Sequence, residues 1–187
     1  MSKLYVLVGI PASGKSTICE ELKKEGVIIY STDNIRGELF GNEGLQYTEE
    51  WLKSVGYSGG EDQFEKYQFA NILIFNILYE RINEKLKEGY DVAGDATNVT
   101  LYARKMIIDN CSMYADEVHC IVMATPLNIC LERNSKRERT LDIKAIMRIA
   151  NSYKEPTLEE GFTSIRFVND KNLIDYGNKT GEDSSLG

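Results

Sequence analysis

The chain has 187 residues, with 22 basic and 29 acidic side chains and a formal net charge of −7 at pH 7. This length fits one domain with a substantial core, and the acidic balance excludes a large nonspecific phosphate-binding surface, so any contact with nucleic acid should be local. The 4 cysteines form no C-x-x-C pair and no apolar run reaches membrane-spanning length, so we expect a cytoplasmic protein without zinc or disulfides.

The hydrophobic pattern predicts strands and helices in alternation. A buried strand over residues 4–8 precedes a helix over about 15–25, and Gly26 ends that helix before a second strand at 27–30. Further elements are expected as a long helix at 62–88, a strand at 90–95, a helix at 100–114, a strand at 118–123, helices at 126–135 and from 142, and a strand at 165–168. Because helices separate the strands, the sheet should be mostly parallel.

Two stretches lack this regular pattern. Residues 37–60 are rich in glycine and predict an irregular insert with one short helix near 48–55. Trp51 and Tyr57 in the insert either line an acceptor channel or anchor the insert on the core, and anchoring is favoured. The polar residues 171–187 predict a flexible tail after a domain over 1–170.

A phosphate-binding loop follows the first strand. The segment G-I-P-A-S-G-K-S-T matches G-x-x-x-x-G-K-[ST] at every fixed position, between a strand and a helix. Its glycines let backbone N–H groups and the helix N-terminus point at phosphates. Lys15 is expected to act catalytically on the β- and γ-phosphates, while Ser16 offers its hydroxyl to Mg²⁺. The predicted ATP-binding residues of this loop are Gly9, Ala12, Ser13, Gly14, Lys15, Ser16 and Thr17.

The second strand is followed by S-T-D-N-I-R, which contains an aspartate. In an open α/β sheet, ligands bind beyond the carboxyl ends of the strands. Asp33 could accept a proton from an alcohol there, and Arg36 lies one turn later on the same helix face. The alternative is that Ser31, Thr32 or Asp33 only caps the next helix.

A second aspartate follows the third strand, in G-D-A-T-N. Asp95 is expected to hold Mg²⁺, directly or through water, or to buttress Lys15 and Ser16. Helix capping is again the alternative, although Thr97, Asn98 and Thr100 are better placed for it.

A charged stretch, E-R-N-S-K-R-E-R, ends the helix near residue 135. Arg133 and Arg137 are four residues apart and share a helix face. In a P-loop kinase such a segment suggests a lid, here over about 133–141, that folds over ATP and brings a guanidinium to transition-state charge. The alternative is a solvated helix end whose cations interact with the helix dipole.

Together, G-I-P-A-S-G-K-S-T, S-T-D-N-I-R, G-D-A-T-N and R-N-S-K-R resemble the polynucleotide 5′-hydroxyl kinase family, which includes a phage kinase and the kinase module of bacterial RNA end-healing proteins. The resemblance covers about residues 3–168. It implies an α/β P-loop kinase fold, with a mostly parallel five-stranded sheet of order 2-3-1-4-5, flanking helices and a helical lid. It further implies that Asp33 is the general base and that Arg36 binds the acceptor's 3′-phosphate. Arg137 would contact the donor phosphates, and Arg133 would pack near the adenine.

The expected function is therefore transfer of the γ-phosphate of ATP, with Mg²⁺, to the 5′-hydroxyl end of DNA or RNA. Because the sequence lacks D-x-D-G-T, we expect no 3′-phosphatase activity, which is often fused to this kinase. Two alternatives remain open. One is an ATP-dependent kinase of a small alcohol, such as a nucleoside, sugar or nucleotide sugar, and the other is a noncatalytic nucleotide-binding module.

Overall fold

The computed structural model describes residues 1–41, 46–169 and 174–180, the last of these as backbone only. Within them one sheet is flanked by helices. In chain order the elements are β1 (Lys3–Val8), α1 (Lys15–Lys24), β2 (Ile28–Ser31), α2 (Thr32–Phe40), α3 (Glu49–Ser54), α4 (Gln63–Lys87), β3 (Val92–Asp95), α5 (Leu101–Cys111), β4 (Glu117–Met123), α6 (Leu127–Ser135), α7 (Ile143–Asn151), β5 (Ser164–Asn169) and β6 (Ile174–Thr180), with 3₁₀ helices at Ser112–Tyr114 and Leu158–Glu160. Among the described residues, no helix has the length and hydropathy to cross a bilayer.

The predicted parallel sheet of order β2-β3-β1-β4-β5 is confirmed. The central strand β1 pairs with β3 on one side and β4 on the other, and Leu4 lies opposite both Val92 and Val118. Leu4 packs on one face of the sheet with α4 and α5, whereas Leu7 packs on the other face with α1. Helices cover both faces of β1, which explains its continuous apolar run.

Helix α4 is the longest element, about 37 Å at 1.5 Å per residue. It begins after Asp62, whose side chain accepts a hydrogen bond from the Glu65 N–H at 2.9 Å. The spacing of Phe75, Leu78, Ile82 and Leu86 predicts one apolar face, and the last three are buried while Phe75 is partly buried against the core. The last turn of α4 leads into the start of β3, and the helix is much longer than any strand. Its N-terminal half therefore extends past the carboxyl edge of the sheet.

The insert is more regular than the sequence predicted. Residues 37–40 complete α2, because Leu39 and Phe40 pack against the core, and Gly41 ends the helix at a φ of 60°. The expected short helix is α3, which begins after Thr48 as its N-cap. Residues 42–45 lie outside the described part of the chain.

Trp51 and Tyr57 anchor the insert, as favoured by the sequence. The Trp51 ring packs edge-on against Phe40 with centroids 4.8 Å apart, and the Tyr57 ring lies 5.1 Å from that of Phe69. Helix α3 is thereby attached to α2, and the chain that follows it is attached to α4.

The C-terminal segment differs from the prediction. Residues 174–180 fall within the predicted flexible tail, yet they form β6, which pairs antiparallel with β5 and places Thr180 opposite Ser164. Without β6, β5 would be an edge strand with a row of unpaired backbone groups. The tail prediction is therefore wrong for this segment, and the sheet has a sixth strand. Residues 170–173 and 181–187 lie outside the described part of the chain.

Candidate active site

The loop between β1 and α1 has a backbone suited to wrapping around phosphate. Ala12 and Gly14 have positive φ angles of 63° and 100°. A Cβ atom on Gly9 would lie 2.6 Å from Ser13 Oγ and 2.9 Å from Met123 Cβ, so only glycine fits there. The Gly9 N–H donates to the Thr97 carbonyl at 2.9 Å, which ties the start of the loop to the turn after β3.

The loop also has unused capacity to bind an anion. Ser13 Oγ is buried and has no hydrogen-bond partner in the structure. The Ser13 carbonyl accepts a hydrogen bond from Thr125 Oγ1 at 2.7 Å, which fixes the loop to the connection between β4 and α6. Lys15 Nζ donates to the carbonyls of Gly9 at 2.7 Å and Ile10 at 3.1 Å, and thus lies across the loop. These residues fit the phosphates of a nucleotide.

Three other predicted site residues converge on Lys15. Burial lowers the pKa of Lys15, the negative charges of Asp95 and Asp33 act to raise it, and the positive charge of Arg137 acts to lower it. Such effects require the charges to be close. Strands β2, β3 and β1 are parallel neighbours and Ser31 lies opposite Asp95, so the ends of β2 and β3 lie at the same edge of the sheet as the phosphate-binding loop.

Asp95 lies at the end of β3 and is partly buried. Its pKa is raised mainly by burial, whereas the charge of Lys15 and hydrogen bonds from the Cys19 thiol and the Ser31 hydroxyl lower it. Thr100 caps α5, so capping does not account for Asp95. Ser16 is exposed in the first turn of α1. Among described residues no three acidic, His or Cys side chains form a metal site. The residues that would hold Mg²⁺ are Ser16 and Asp95, together with phosphate oxygens, and such a sparse protein set is common for this ion.

Asp33 is available for chemistry because another residue caps α2. Ser31 Oγ accepts the hydrogen bond from the Asp33 N–H at 3.2 Å, and the side chain of Asp33 is 70% exposed. Arg36 contacts the Asp33 carboxylate at 3.3 Å and donates a second hydrogen bond to Asn71 Oδ1 at 2.8 Å. The predicted pair is thus held in place by an α4 residue that the sequence analysis did not identify.

The predicted lid consists of the last turn of α6 and the loop that follows. Arg133 lies in that turn and is partly buried, whereas Arg137 is exposed in the loop. Between them, the buried Asn134 donates to the Leu141 carbonyl at 2.9 Å and accepts from the Leu141 N–H at 3.0 Å. These two hydrogen bonds to Leu141, at the end of the loop, fix the segment that carries Arg137. No local sequence pattern predicts this role, because it depends on a partner seven residues away.

A buried network supports the turn after β3. Asn98 has a φ of 45°, a conformation that asparagine tolerates better than most residues, and its side chain donates to the Leu7 carbonyl at 2.9 Å. Arg104, which is fully buried, donates to the Asn98 carbonyl at 3.2 Å and to both oxygens of Glu160, at 2.6 and 2.8 Å. The network fixes the end of β1, which leads directly into the phosphate-binding loop. Asparagine in a turn after a strand was the only sequence signal for it.

Comparison with known proteins places the chain in a family. Residues 4–156 match a family model described as an AAA domain. The chain belongs to this AAA domain family. The matched range includes the phosphate-binding loop, both aspartates and both arginines of the lid, so the whole candidate site lies within the family domain.

Two curated relatives of this AAA domain protein come from Schizosaccharomyces pombe. The bifunctional polynucleotide phosphatase/kinase is 27% identical over 179 residues, which cover 93% of this chain and 35% of the relative. Protein kti12 is 26% identical over 160 residues, which cover 82% of this chain and 52% of the relative. The chain thus spans about a third of one relative and about half of the other. The predicted resemblance to polynucleotide kinases is confirmed as a similarity of sequence.

Solved structures establish the P-loop kinase fold. The Pnkp1/Rnl/Hen1 RNA repair complex contains a chain with a TM-score of 0.57 and 19% identity, and the match covers 81% of this chain and 43% of that one. A gluconokinase from Sinorhizobium meliloti matches with a TM-score of 0.54 and 12% identity, over 89% of this chain and 82% of that one. At these identities the likeness concerns the fold alone, which occurs in kinases of different acceptors.

Proposed function

We propose that this protein is an ATP-dependent kinase whose acceptor is the 5′-hydroxyl end of a polynucleotide. One observation carries the proposal. The exposed carboxylate of Asp33 comes directly after β2, at the edge of the sheet where β3 ends at Asp95 and β1 leads into the phosphate-binding loop, and Arg36 contacts that carboxylate at 3.3 Å. A proton acceptor, a phosphate-binding lysine and a second cation therefore share one edge of the sheet.

On the acceptor side, Asp33 takes the proton of the attacking hydroxyl, or orients that hydroxyl toward the γ-phosphate. Arg36 binds the phosphate on the 3′ side of the terminal nucleotide, because its guanidinium can form paired hydrogen bonds with phosphate. Its contact with Asn71 directs the guanidinium along α4. The site thereby favours an alcohol that carries a nearby phosphate, as a polynucleotide end does.

On the donor side, the loop N–H groups, Ser13 Oγ and Lys15 bind the phosphates of ATP. Mg²⁺, which Ser16 and Asp95 would hold, neutralises phosphate charge when it is bound. Arg137 contributes a guanidinium that stabilises the charge of the transferring group. The bond from Thr125 Oγ1 to the Ser13 carbonyl at 2.7 Å supports this role, since it ties the start of the segment that leads through α6 to Arg137 to the phosphate-binding loop.

The relatives support the proposed acceptor and also one competitor. A polynucleotide phosphatase/kinase is similar over most of this chain, and its name specifies the same kind of substrate. The gluconokinase shares the fold, and the net charge of −7 suits a small acceptor as well as a nucleic acid end. The second candidate function is therefore phosphorylation of a small alcohol at the same Asp33.

The decisive experiment incubates the protein with γ-labelled ATP and Mg²⁺ in the presence of different acceptors. The panel contains 5′-hydroxyl DNA and RNA oligonucleotides, 3′-phosphorylated nucleosides, nucleosides and sugars. We expect label on the oligonucleotides and 3′-phosphorylated nucleosides. Label on nucleosides or sugars alone would replace the proposal with the small-alcohol kinase.

The Arg36→Ala variant tests the role of Arg36 within this reaction. We expect the KM for 3′-phosphorylated acceptors to rise by about 10-fold or more while the KM for ATP stays within about twofold, because a charge-assisted phosphate contact is lost. Arg81→Ala is the matched control, since Arg81 joins α4 to α2 through Glu38 at 3.1 and 2.6 Å. An equal effect of the two variants would contradict a phosphate-reading role for Arg36.

A further inference from the structure

Helix α4 exposes two aromatic rings on the face that leads to the acceptor site. The residues Phe64 and Tyr67 are 66% and 53% exposed. With Asn71 they follow one another at spacings of three and four residues, so all three lie on one stripe of the helix. Large aromatic side chains are costly to leave in water, and two in a row next to a ligand site need an explanation.

The stripe begins at the proposed acceptor site. Asn71 accepts a hydrogen bond from Arg36, which in turn contacts Asp33. From Asn71 the stripe runs toward the N-terminus of α4, in the half of the helix that extends past the carboxyl edge of the sheet. A strand bound with its first nucleotide at Asp33 and Arg36 would meet Tyr67 next and Phe64 after it.

This part of α4 is held rigidly. Lys66, which is 2% exposed, donates hydrogen bonds to Glu49 of α3 at 2.9 Å and to Glu61 at 2.8 Å. These contacts lie on the side of α4 that faces the insert, and they leave Phe64 and Tyr67 on the open side. The two rings are therefore presented on a fixed surface and need no rearrangement to bind a flat ligand.

We propose that Phe64 and Tyr67 form a stacking surface for unpaired bases of the acceptor strand, on the 3′ side of the nucleotide that is phosphorylated. This inference rests on the proposed polynucleotide kinase function and specifies its substrate as a single-stranded end. Seven residues of α4, about 10.5 Å of helix, separate Phe64 from Asn71. This is the length of about three stacked nucleotides at roughly 3.4 Å each. Every base has an apolar π-face, so such a surface tolerates any sequence.

The charges around the stripe favour bases over phosphates as the bound groups. Glu61, Asp62 and Glu65 lie at the start of α4, and the positive charge of Lys66 is already paired with Glu49 and Glu61. Acidic side chains repel the phosphate backbone, which should therefore face solvent while the bases face the rings. Binding by stacking predicts a weak dependence of affinity on salt, in contrast to a groove lined with lysine and arginine.

The test measures kcat/KM for two 5′-hydroxyl tetranucleotides, one with all its bases and one with abasic second and third positions. For the unmodified protein we expect the complete tetranucleotide to be preferred by roughly 25-fold or more, because two stacked bases each contribute about 5-fold or more. In the double variant Phe64→Ala with Tyr67→Ala this preference should fall to about twofold or less, while kcat/KM for a 3′-phosphorylated nucleoside stays unchanged. Tyr67→Phe should keep the preference, because stacking needs the ring and not the hydroxyl.

Ile72→Ala is the matched control, since Ile72 is 58% exposed on the same helix and lacks a ring. It should leave the preference for bases intact. If the double variant still discriminates against the abasic acceptor, or if Ile72→Ala loses the discrimination equally, the stacking surface is wrong while the kinase proposal stands. If no oligonucleotide is phosphorylated and a small alcohol is, the proposed function fails and this inference fails with it.

Discussion

At the scale of single residues, the sequence left open whether Asp33 caps α2 or is available to an acceptor, and Ser31 is the residue that caps the helix in place of Asp33. Within the described part of the chain, the carboxylate of Asp33 contacts Arg36. A side chain that is exposed at 70% and close to Lys15 can be changed without disturbing the core. The role of Asp33 in phosphoryl transfer can therefore be tested by a nearly isosteric substitution.

We expect Asp33→Asn to lower turnover by about 10²- to 10⁴-fold, because the amide cannot accept the proton of the acceptor hydroxyl. Affinity for ADP should change by less than about threefold, since the phosphate-binding loop is untouched. Single-turnover transfer from labelled ATP and equilibrium binding of a fluorescent nucleotide measure the two effects. Asp109→Asn, which alters an exposed carboxylate paired with Lys105, is the control and should keep full activity. Normal turnover in Asp33→Asn would rule out a general base at this position.

The exposed Arg137 can be tested against a neighbour of the same kind. We expect Arg137→Ala to lower turnover by roughly 10³-fold or more, because an arginine supplied in cis stabilises transition-state charge. Arg139→Ala removes an equally exposed guanidinium two residues later and should have little effect. Steady-state rates at saturating ATP give the comparison. A loss below about tenfold would make Arg137 a surface charge.

At the scale of elements, the turn after β3 connects the candidate site to the 3₁₀ helix that precedes β5. Arg104 joins this turn to Glu160 in the 3₁₀ helix Leu158–Glu160, and Asn98 joins it to β1. A buried ion pair adds little net stability compared with apolar replacements, but breaking one side of it is costly. Variants of Arg104 and Glu160 can therefore separate an effect on the free energy of unfolding from an effect on the geometry of the candidate site.

We expect Arg104→Met to lower the free energy of unfolding by about 3–5 kcal/mol, because Glu160 is left buried and unpaired. Adding Glu160→Met should recover much of this loss in denaturant titrations. Affinity for ADP should stay reduced in both variants, because the Asn98 carbonyl still lacks its donor and the turn beneath the phosphate-binding loop is less well fixed. Full recovery of ADP affinity in the double variant would show that Arg104 contributes stability alone.

Sequence patterns predicted the elements that depend on local signals. The phosphate-binding loop, the buried central strand and the helix that starts after Asp142 follow from spacings of a few residues, and all are present. The contacts of Arg36 with Asn71 and of Arg104 with Glu160 span 35 and 56 residues, and they depend on how helices pack. No local pattern contains that information. Strand β6 escaped prediction for the same reason, since its order depends on pairing with β5.

At the scale of the whole molecule, all four cysteines are buried thiols outside any disulfide. Burial raises the pKa of Cys19, Cys111 and Cys120 to about 12 in each case. The thiolate is the reactive form, and its share at pH 8 falls to about one part in 10⁴ for such a group. The rate at which a reagent modifies these thiols therefore measures how often the fold opens.

We expect a disulfide reagent at pH 8 to label the native protein slowly and the urea-unfolded protein at once, with all 4 thiols reacting after unfolding. Because the folded pKa values are raised, native reactivity should remain low until the pH approaches 12 or the fold opens. Absorbance of the released reagent gives the rate. Rapid reaction of one thiol in native protein would identify an open segment, and mass spectrometry would locate it.

The bonds that Lys15 makes to the Gly9 and Ile10 carbonyls have a thermodynamic consequence for the donor nucleotide. They keep the loop preorganised before ATP arrives, so its conformational entropy is lost during folding and not during association. In the proposed reaction, ATP exchanges two lysine-to-carbonyl bonds for lysine-to-phosphate bonds, so its association requires no further ordering of this loop and depends on the enthalpy of that exchange.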